Sequence, residues 1–176
     1  MISAATIIAT FNDLFATGYG TRLTGGGEEP VYLPGTADGD HLIVFKEDFA
    51  ASALHEVAHW CIAGPRRRQL EDYGYWYESR RDTGLQSRFQ SVEVGPQGLE
   101  WIFSVAASRP FRVSFDNLDA PDEDGKAFRA AVRKAARERI ADGLPARAAR
   151  FANALATHPD GCRDFLSPHH YNDLPR

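Results

Sequence analysis

Apolar residues recur every three or four positions near the N-terminus, and this spacing predicts an amphipathic helix over residues 3–16. A glycine-rich stretch, residues 18–27, comes next and favours a loop over a regular element. Two short runs rich in β-branched and aromatic side chains predict strands at residues 31–33 and 41–45. The N-terminal part therefore predicts one helix followed by part of a small sheet.

Helical spacing dominates the remainder of the chain. It predicts helices over residues 49–63, 97–107, 126–142 and 145–157, while alternating apolar and polar side chains predict a strand over residues 111–115. Several prolines near the C-terminus favour an irregular tail. Together these segments predict an α+β fold, formed as a single helix-rich domain over residues 1–176 with a small sheet.

The most informative polar residues lie inside the second predicted helix. His55 and His59 are four positions apart, and Glu56 follows the first histidine directly. Positions i and i+4 share one helix face, so both imidazoles can reach one metal ion, with Glu56 beside it. The flanking residues are apolar and rich in alanine, and Gly64 with Pro65 predicts the end of the helix. We expect a metal site on this central helix; the alternative is two core histidines with Glu56 in solvent.

A catalytic metal usually takes three protein ligands, and no further histidine follows closely behind His59. His41 falls on a predicted strand and is expected to be structural, while the remaining histidines are C-terminal. Glu93 lies between two valines and is the preferred third ligand, because a buried carboxylate needs a partner or a metal. Glu100 is the second candidate and is otherwise expected to face solvent. Two histidines and one carboxylate suit Zn²⁺ for hydrolysis or Fe(II) for oxygen activation, so both remain open.

Composition narrows the class of protein only a little. The net charge is −4, and the two cysteines, Cys61 and Cys162, are far apart, which indicates a reducing compartment without disulfides. We expect Cys61 to be buried. The chain shows neither a signal-peptide pattern nor an apolar run long enough to span a bilayer, so we expect a cytoplasmic protein without membrane partners. Basic residues at 66–68 and along 126–139 could attract an acidic partner; without a nucleic-acid motif, direct nucleic-acid binding is not expected.

Longer runs of residues resemble the bacterial elongation factor P hydroxylases and occur in the same order. They are residues 28–34 (EEPVYLP), 51–64 (ASALHEVAHWCIAG), 72–77 (DYGYWY), 92–97 (VEVGPQ), 111–114 (FRVS) and 116–118 (DNL). The run around the two histidines is far more specific than the bare metal pattern. The C-terminal third matches more loosely. Gly95 and Gly98 depart from the family pattern, in which a lysine and an alanine are expected.

The resemblance implies a metal-dependent enzyme that hydroxylates a lysine of translation elongation factor P after that lysine has received a β-lysyl group. It implies a metal held by His55, His59 and Glu93, with Fe(II) expected and zinc as the alternative, and no 2-oxoglutarate cosubstrate. Glu56 is the predicted catalytic residue. The metal pattern taken alone favours a different function, a small zinc metallopeptidase of the His-Glu-x-x-His type.

A further expectation concerns the cationic substrate chain that the resemblance implies. Asp72, Tyr73, Tyr75 and Trp76 are predicted to bind it, since aromatic faces attract ammonium groups and a carboxylate can pair with one. The alternative is an ordinary aromatic core cluster.

Overall fold

The computed structural model describes residues 1–36, 39–71, 83–114 and 122–173, with side chains described from residue 92 in its third helix and from residue 125 in its fourth. Within these ranges the order of elements is α1 (Ala4–Tyr19), β1 (Thr21–Gly27), β2 (Val31–Leu33), β3 (His41–Lys46), α2 (Ala50–Ile62), α3 (Thr83–Ala106), α4 (Asp122–Asp142) and α5 (Ala146–Thr157). Short 3₁₀ turns lie at Arg67–Gln69 and Pro168–Tyr171. The predicted α+β class, rich in helix with a small sheet, is confirmed.

β3 is the central strand of the sheet. β1 pairs with it in parallel, with Thr21 opposite His41, and β2 pairs with it in antiparallel, with Tyr32 opposite Ile43. His41 has the structural role predicted for it, because its Nδ1 accepts a hydrogen bond of 2.9 Å from the Gly35 backbone and lies 2.9 Å from the Tyr32 hydroxyl.

The loop predicted for residues 18–27 is wrong, because α1 continues to Tyr19 and β1 follows it. The glycines in β1 allow close contact with the neighbouring strand rather than a free loop. A β-carbon on Gly25 would lie 2.6 Å from the Glu47 carbonyl oxygen and 2.9 Å from the Phe45 ring. The strand therefore needs glycine at this position in order to approach β3.

The core lies between the sheet and the helices. Phe11 and Phe15 of α1 pack on Trp60 of α2, with ring centroids 5.1 and 4.9 Å apart, and Phe11 also contacts Phe151 of α5. These rings meet at tilted or edge-on angles, the arrangement that aromatic pairs favour. Cys61 is buried as predicted, and it is a free thiol.

α2 follows the predicted helix of residues 49–63 to within one residue at each end. Its C-terminus is held by a side chain from α5, since Arg147 Nη2 donates to the carbonyl oxygens of Cys61 and Ala63 at 3.0 and 2.6 Å. The Arg147 guanidinium also lies 4.6 Å from the centre of the Trp60 ring. A cation at the last carbonyls opposes the negative end of the helix dipole and fixes where α2 ends.

α3 is longer than the helix predicted for residues 97–107, because the helix continues through Pro96 from Thr83. Proline removes one backbone donor and usually interrupts a helix, but Pro96 lies inside α3. Gly98 lies where α3 meets α4: a β-carbon there would be 3.0 Å from the Ala135 β-carbon and 3.1 Å from the Ala136 nitrogen.

The strand predicted for residues 111–115 is wrong over the described residues 111–114, which lie outside any strand. A side chain takes the place of a neighbouring strand there. Gln97 Nε2 donates to the Ser114 carbonyl oxygen at 3.0 Å, and Gln97 Oε1 accepts from the Ser114 nitrogen at 3.1 Å. This pair satisfies both backbone groups without a ladder.

Candidate metal centre

Three side chains from two packed helices converge on one point. His55 and His59 of α2 place their Nε2 atoms 3.0 Å apart. Glu93 of α3 faces both: its Oε2 lies 3.3 Å from His55 Nε2, and its Oε1 lies 3.3 Å from His59 Nε2. Glu93 is buried, with 1% of its surface exposed. The structure therefore brings together the three residues proposed as metal ligands from the sequence, and each offers a donor atom to the same space.

The spacing of these donors fits a small divalent ion. Bonds of about 2.0–2.2 Å, at the angles of a tetrahedral or octahedral site, separate neighbouring ligand atoms by roughly 2.8–3.6 Å. The observed separations of 3.0, 3.3 and 3.3 Å fall in that range. Two imidazole nitrogens and a carboxylate suit Fe(II) as well as Zn²⁺, so the donor set fits either metal.

Glu100 holds the other side of the His55 ring. Its Oε2 lies 2.8 Å from His55 Nδ1, and the residue is only 6% exposed. We expected Glu100 to face solvent if it were not the third ligand. That expectation is wrong, because its side chain lies on the face of α3 that packs on α2. An imidazole that donates Nδ1–H to a carboxylate has its lone pair on Nε2, which is the atom that points at Glu93 and His59. Glu100 thus holds the ring in the orientation that can bind a metal through Nε2.

Burial and hydrogen bonding shift the pKa values of these groups in different directions. Burial raises the pKa of Glu93, but its hydrogen bonds with both histidines outweigh that effect and hold the pKa well below its usual range. Burial raises the pKa of Glu100, and the hydrogen bond with His55 and the charges of both histidines do not outweigh that effect. Burial lowers the pKa of His55, but bonds with Glu100 and Glu93 raise it well above its usual value. Glu93 is therefore ionised at neutral pH.

The positions of the two acids along α3 explain how both reach one ring. Glu93 and Glu100 are seven residues apart, which is about two helical turns, so their side chains lie on the same face. Gln97 lies between them on that face and binds Ser114, as described above. The sequence alone presents the two acids as alternative third ligands. Their i, i+7 spacing on an unbroken helix was the signal that both could face α2.

A cavity of about 210 Å³ opens beside the centre. Glu56 and His59 line it together with apolar side chains that include Ile43, Trp60 and Val92. Glu56 is 9% exposed, and burial raises its pKa. The cavity therefore combines apolar walls, which suit the methylene part of a long chain, with one carboxyl group next to the predicted metal ligands.

Tyr32, Arg67 and Arg68 also line this cavity, and the sequence did not predict that role for them. Tyr32 of β2 donates from its hydroxyl to the Arg68 carbonyl at 2.9 Å. The predicted substrate-binding residues Asp72, Tyr73, Tyr75 and Trp76 lie outside the described residues.

Comparison with known proteins supports the resemblance noted in the sequence. The family model described as elongation factor P hydroxylase matches residues 10–163, a range that holds all the residues of the centre. The chain belongs to the elongation factor P hydroxylase family. The elongation factor P lysine hydroxylase of Haemophilus influenzae is 46% identical over 151 residues, which cover 85% of each chain.

Members of the elongation factor P hydroxylase family are enzymes, and hydroxylation is an oxidation. Nothing in the match supports a metallopeptidase, although the two histidines and Glu56 alone would suit one. Across the part of the chain that the structure describes, no helix has both the length and the apolar character that a membrane span requires.

Proposed function

We propose that this protein hydroxylates a lysine side chain of translation elongation factor P that already carries a β-lysyl group, with Fe(II) bound by His55, His59 and Glu93. The observation that carries the proposal is that the two Nε2 atoms lie 3.0 Å apart and each lies 3.3 Å from a Glu93 oxygen, in a chain of the elongation factor P hydroxylase family. Fe(II) in a site of two histidines and one carboxylate supplies oxygen activation, and zinc there would supply none. A translation factor as substrate favours a cytoplasmic location.

The protein side chains have separate roles in this proposal. Glu100 orients the His55 ring through Nδ1, so that Nε2 is the atom presented to the metal. Glu93 supplies the negative charge that balances a divalent cation, and its low pKa means that it is ionised at neutral pH. Glu56 is the group that exchanges a proton at the cavity wall, because a carboxyl with a raised pKa is better matched to proton transfer near neutral pH.

The cavity beside His59 supports a long cationic side chain as substrate. Its apolar walls can cover the methylenes of the chain, and the Glu56 carboxylate offers a partner for an ammonium group. We propose that Asp72, Tyr73, Tyr75 and Trp76 add the aromatic and acidic contacts that hold the outer lysyl part. Arg67, which is exposed at the cavity, offers a contact for an acidic surface of elongation factor P.

Incubation with Fe(II), a reductant, oxygen and β-lysylated elongation factor P tests the activity. We expect the substrate to gain the mass of one oxygen atom, and we expect His55→Ala to give no gain. Elongation factor P without the β-lysyl group is the substrate control and should react poorly. Cleavage of peptide substrates by the zinc form, with no oxygen added under any metal, would contradict the proposal and favour a peptidase.

Glu56→Gln separates catalysis from metal binding. Because Glu56 is proposed to exchange a proton and not to bind the metal, this variant should keep its metal content and lose hydroxylation. Glu71→Gln, an exposed acid after α2, is the matched control and should keep both. Loss of the metal in Glu56→Gln would show instead that Glu56 belongs to the ligand set.

A further inference from the structure

A second group of metal-donor side chains lies in the C-terminal segment, after α5. Cys162 Sγ is 3.1 Å from Asp164 Oδ1 and 3.8 Å from His170 Nε2, and His170 Nε2 is 3.4 Å from the same Asp164 oxygen. These three donor atoms, one each of sulfur, oxygen and nitrogen, form a triangle that is comparable in size to the His55, His59 and Glu93 triangle.

The geometry points to a second metal site, in which Cys162, Asp164 and His170 bind a zinc-like divalent ion. Zinc bonds of about 2.3 Å to sulfur and about 2.0–2.2 Å to nitrogen and oxygen place tetrahedral ligands roughly 3.3–3.6 Å apart. The observed separations of 3.1, 3.4 and 3.8 Å lie close to this range. In this structure the Cys162 thiol donates to Asp164 Oδ1, and a divalent ion would replace that proton between the sulfur and the oxygen, because cysteine binds metals as the thiolate.

A fourth donor lies beside the triangle. His169 Nε2 is 3.9 Å from the second oxygen of Asp164, and the His169 ring is exposed, so it has room to turn towards an ion. Ser167 Oγ lies 2.7 Å from His169 Nδ1 and can hold the ring with Nε2 as the open donor. With His169 the site is closed by four protein ligands, which is typical of a structural zinc site and not of a catalytic one.

The surroundings show what such an ion would hold together. Cys162 N donates to the Ala106 carbonyl oxygen at the C-terminal end of α3, at 2.9 Å. Tyr171 is fully buried after His170, and its ring lies 5.1 Å from that of Trp101 on α3. Arg133 of α4 donates to the Asn172 carbonyl oxygen at 3.0 Å. An ion on Cys162 and His170 would therefore fasten the C-terminal segment, residues 162–172, to both α3 and α4.

The two centres differ in ligand chemistry, which allows each to be measured by itself. Thiolate ligands select zinc over the harder divalent metals, while the His55 centre offers only nitrogen and oxygen. The full-length protein is stripped with a chelator and titrated with zinc alone. We expect the unaltered protein to bind two equivalents of zinc, His55→Ala to bind one, and His55→Ala combined with Cys162→Ser to bind none.

Cobalt(II) gives a second measurement that reports sulfur ligation directly. In the His55→Ala background, bound cobalt should show a thiolate charge-transfer band in the near ultraviolet, and Cys162→Ser should abolish it. Cys61→Ala is the matched cysteine control and should keep the band. His170→Ala removes the proposed nitrogen ligand, and His158→Ala is its matched histidine control. Circular dichroism checks that each variant is folded; where Cys162→Ser is not, His170→Ala gives the same test.

Two results would overturn the site. One is a His55→Ala protein that binds no zinc while it remains folded. The other is a cobalt band that survives in Cys162→Ser or disappears in Cys61→Ala, since sulfur ligation would then be absent from Cys162. Neither result bears on the hydroxylase activity, which depends on the other centre.

Discussion

Removal of the Glu100 carboxylate should weaken the metal centre without removing a ligand. Glu100 Oε2 lies 2.8 Å from His55 Nδ1 in a pocket where the acid is only 6% exposed. A hydrogen bond to a charged group contributes roughly 1.5–3 kcal/mol. Loss of a group that orients a metal ligand typically costs about 10–100-fold in metal affinity, which is about 1.4–2.7 kcal/mol. The two figures agree, so we expect Glu100→Ala to lose affinity by that factor.

Glu100→Gln should show a smaller effect, because the amide oxygen can still accept the His55 proton. A neutral hydrogen bond contributes roughly 0.5–1.5 kcal/mol, so the expected deficit is about 1 kcal/mol, or roughly fivefold in affinity. Affinity is measured by competition with a chromophoric chelator, and hydroxylation by the mass of the substrate. Ser104→Ala, a buried polar position one turn further along α3, is the control and should leave affinity unchanged.

Two outcomes would refute this reasoning. Unchanged metal affinity in Glu100→Ala would mean that the hydrogen bond to His55 is dispensable. Complete loss of the metal in Glu100→Ala, with affinity retained in Glu93→Ala, would make Glu100 the third ligand and Glu93 the orienting acid.

Three further predictions follow from the same structure. His55→Ala and His59→Ala should each lose the metal and the hydroxylase activity while they keep the helical circular dichroism signal, and full metal content in either would contradict the site. Metal content should fall as pH falls, because a protonated imidazole cannot bind a metal. The carboxylate partners of His55 raise its pKa, so protons should begin to compete with the metal above the unperturbed histidine pKa of about 6.5. Metal analysis after dialysis across a pH series measures this. Gly161→Ala should destabilise the fold by at least about 2 kcal/mol, or roughly 4–8 °C in Tm, because its β-carbon would lie 2.1 Å from the Leu155 carbonyl oxygen; Gly18→Ala, with open space around it, is the control and should not lower Tm.

The sequence predicted those elements in which local pattern and tertiary packing agree. The spacing of Ile7, Phe11 and Phe15 predicted a helix, and all three side chains are buried on the core side of α1. The His55 and His59 helix was predicted for the same reason, since its alanine-rich faces are the ones that the core covers. In both cases the residues that predict the helix lie within one short stretch of sequence.

Elements set by distant contacts were not predictable in this way. β1 depends on the close approach of Gly25 to β3. A glycine-rich pattern taken alone predicts a loop instead. The Gln97 amide completes the backbone bonds of Ser114, so an alternating segment did not become a strand. In the candidate site, the proposal of Glu93 rested on its apolar flanks, while the contact between Glu100 and His55 needed the packing of α3 on α2.

The contacts of Glu100 and Glu93 with the His55 ring have a consequence for how the centre binds its metal. Both ring nitrogens face carboxylates of the same rigid helix, at 2.8 and 3.3 Å. A half-turn of the imidazole would break both contacts at once, so the ring stays in one orientation before any ion arrives. Little conformational entropy then has to be given up on binding. The metal-free and metal-loaded proteins should therefore superpose closely at α2 and α3, and loading should proceed without a slow rearrangement step.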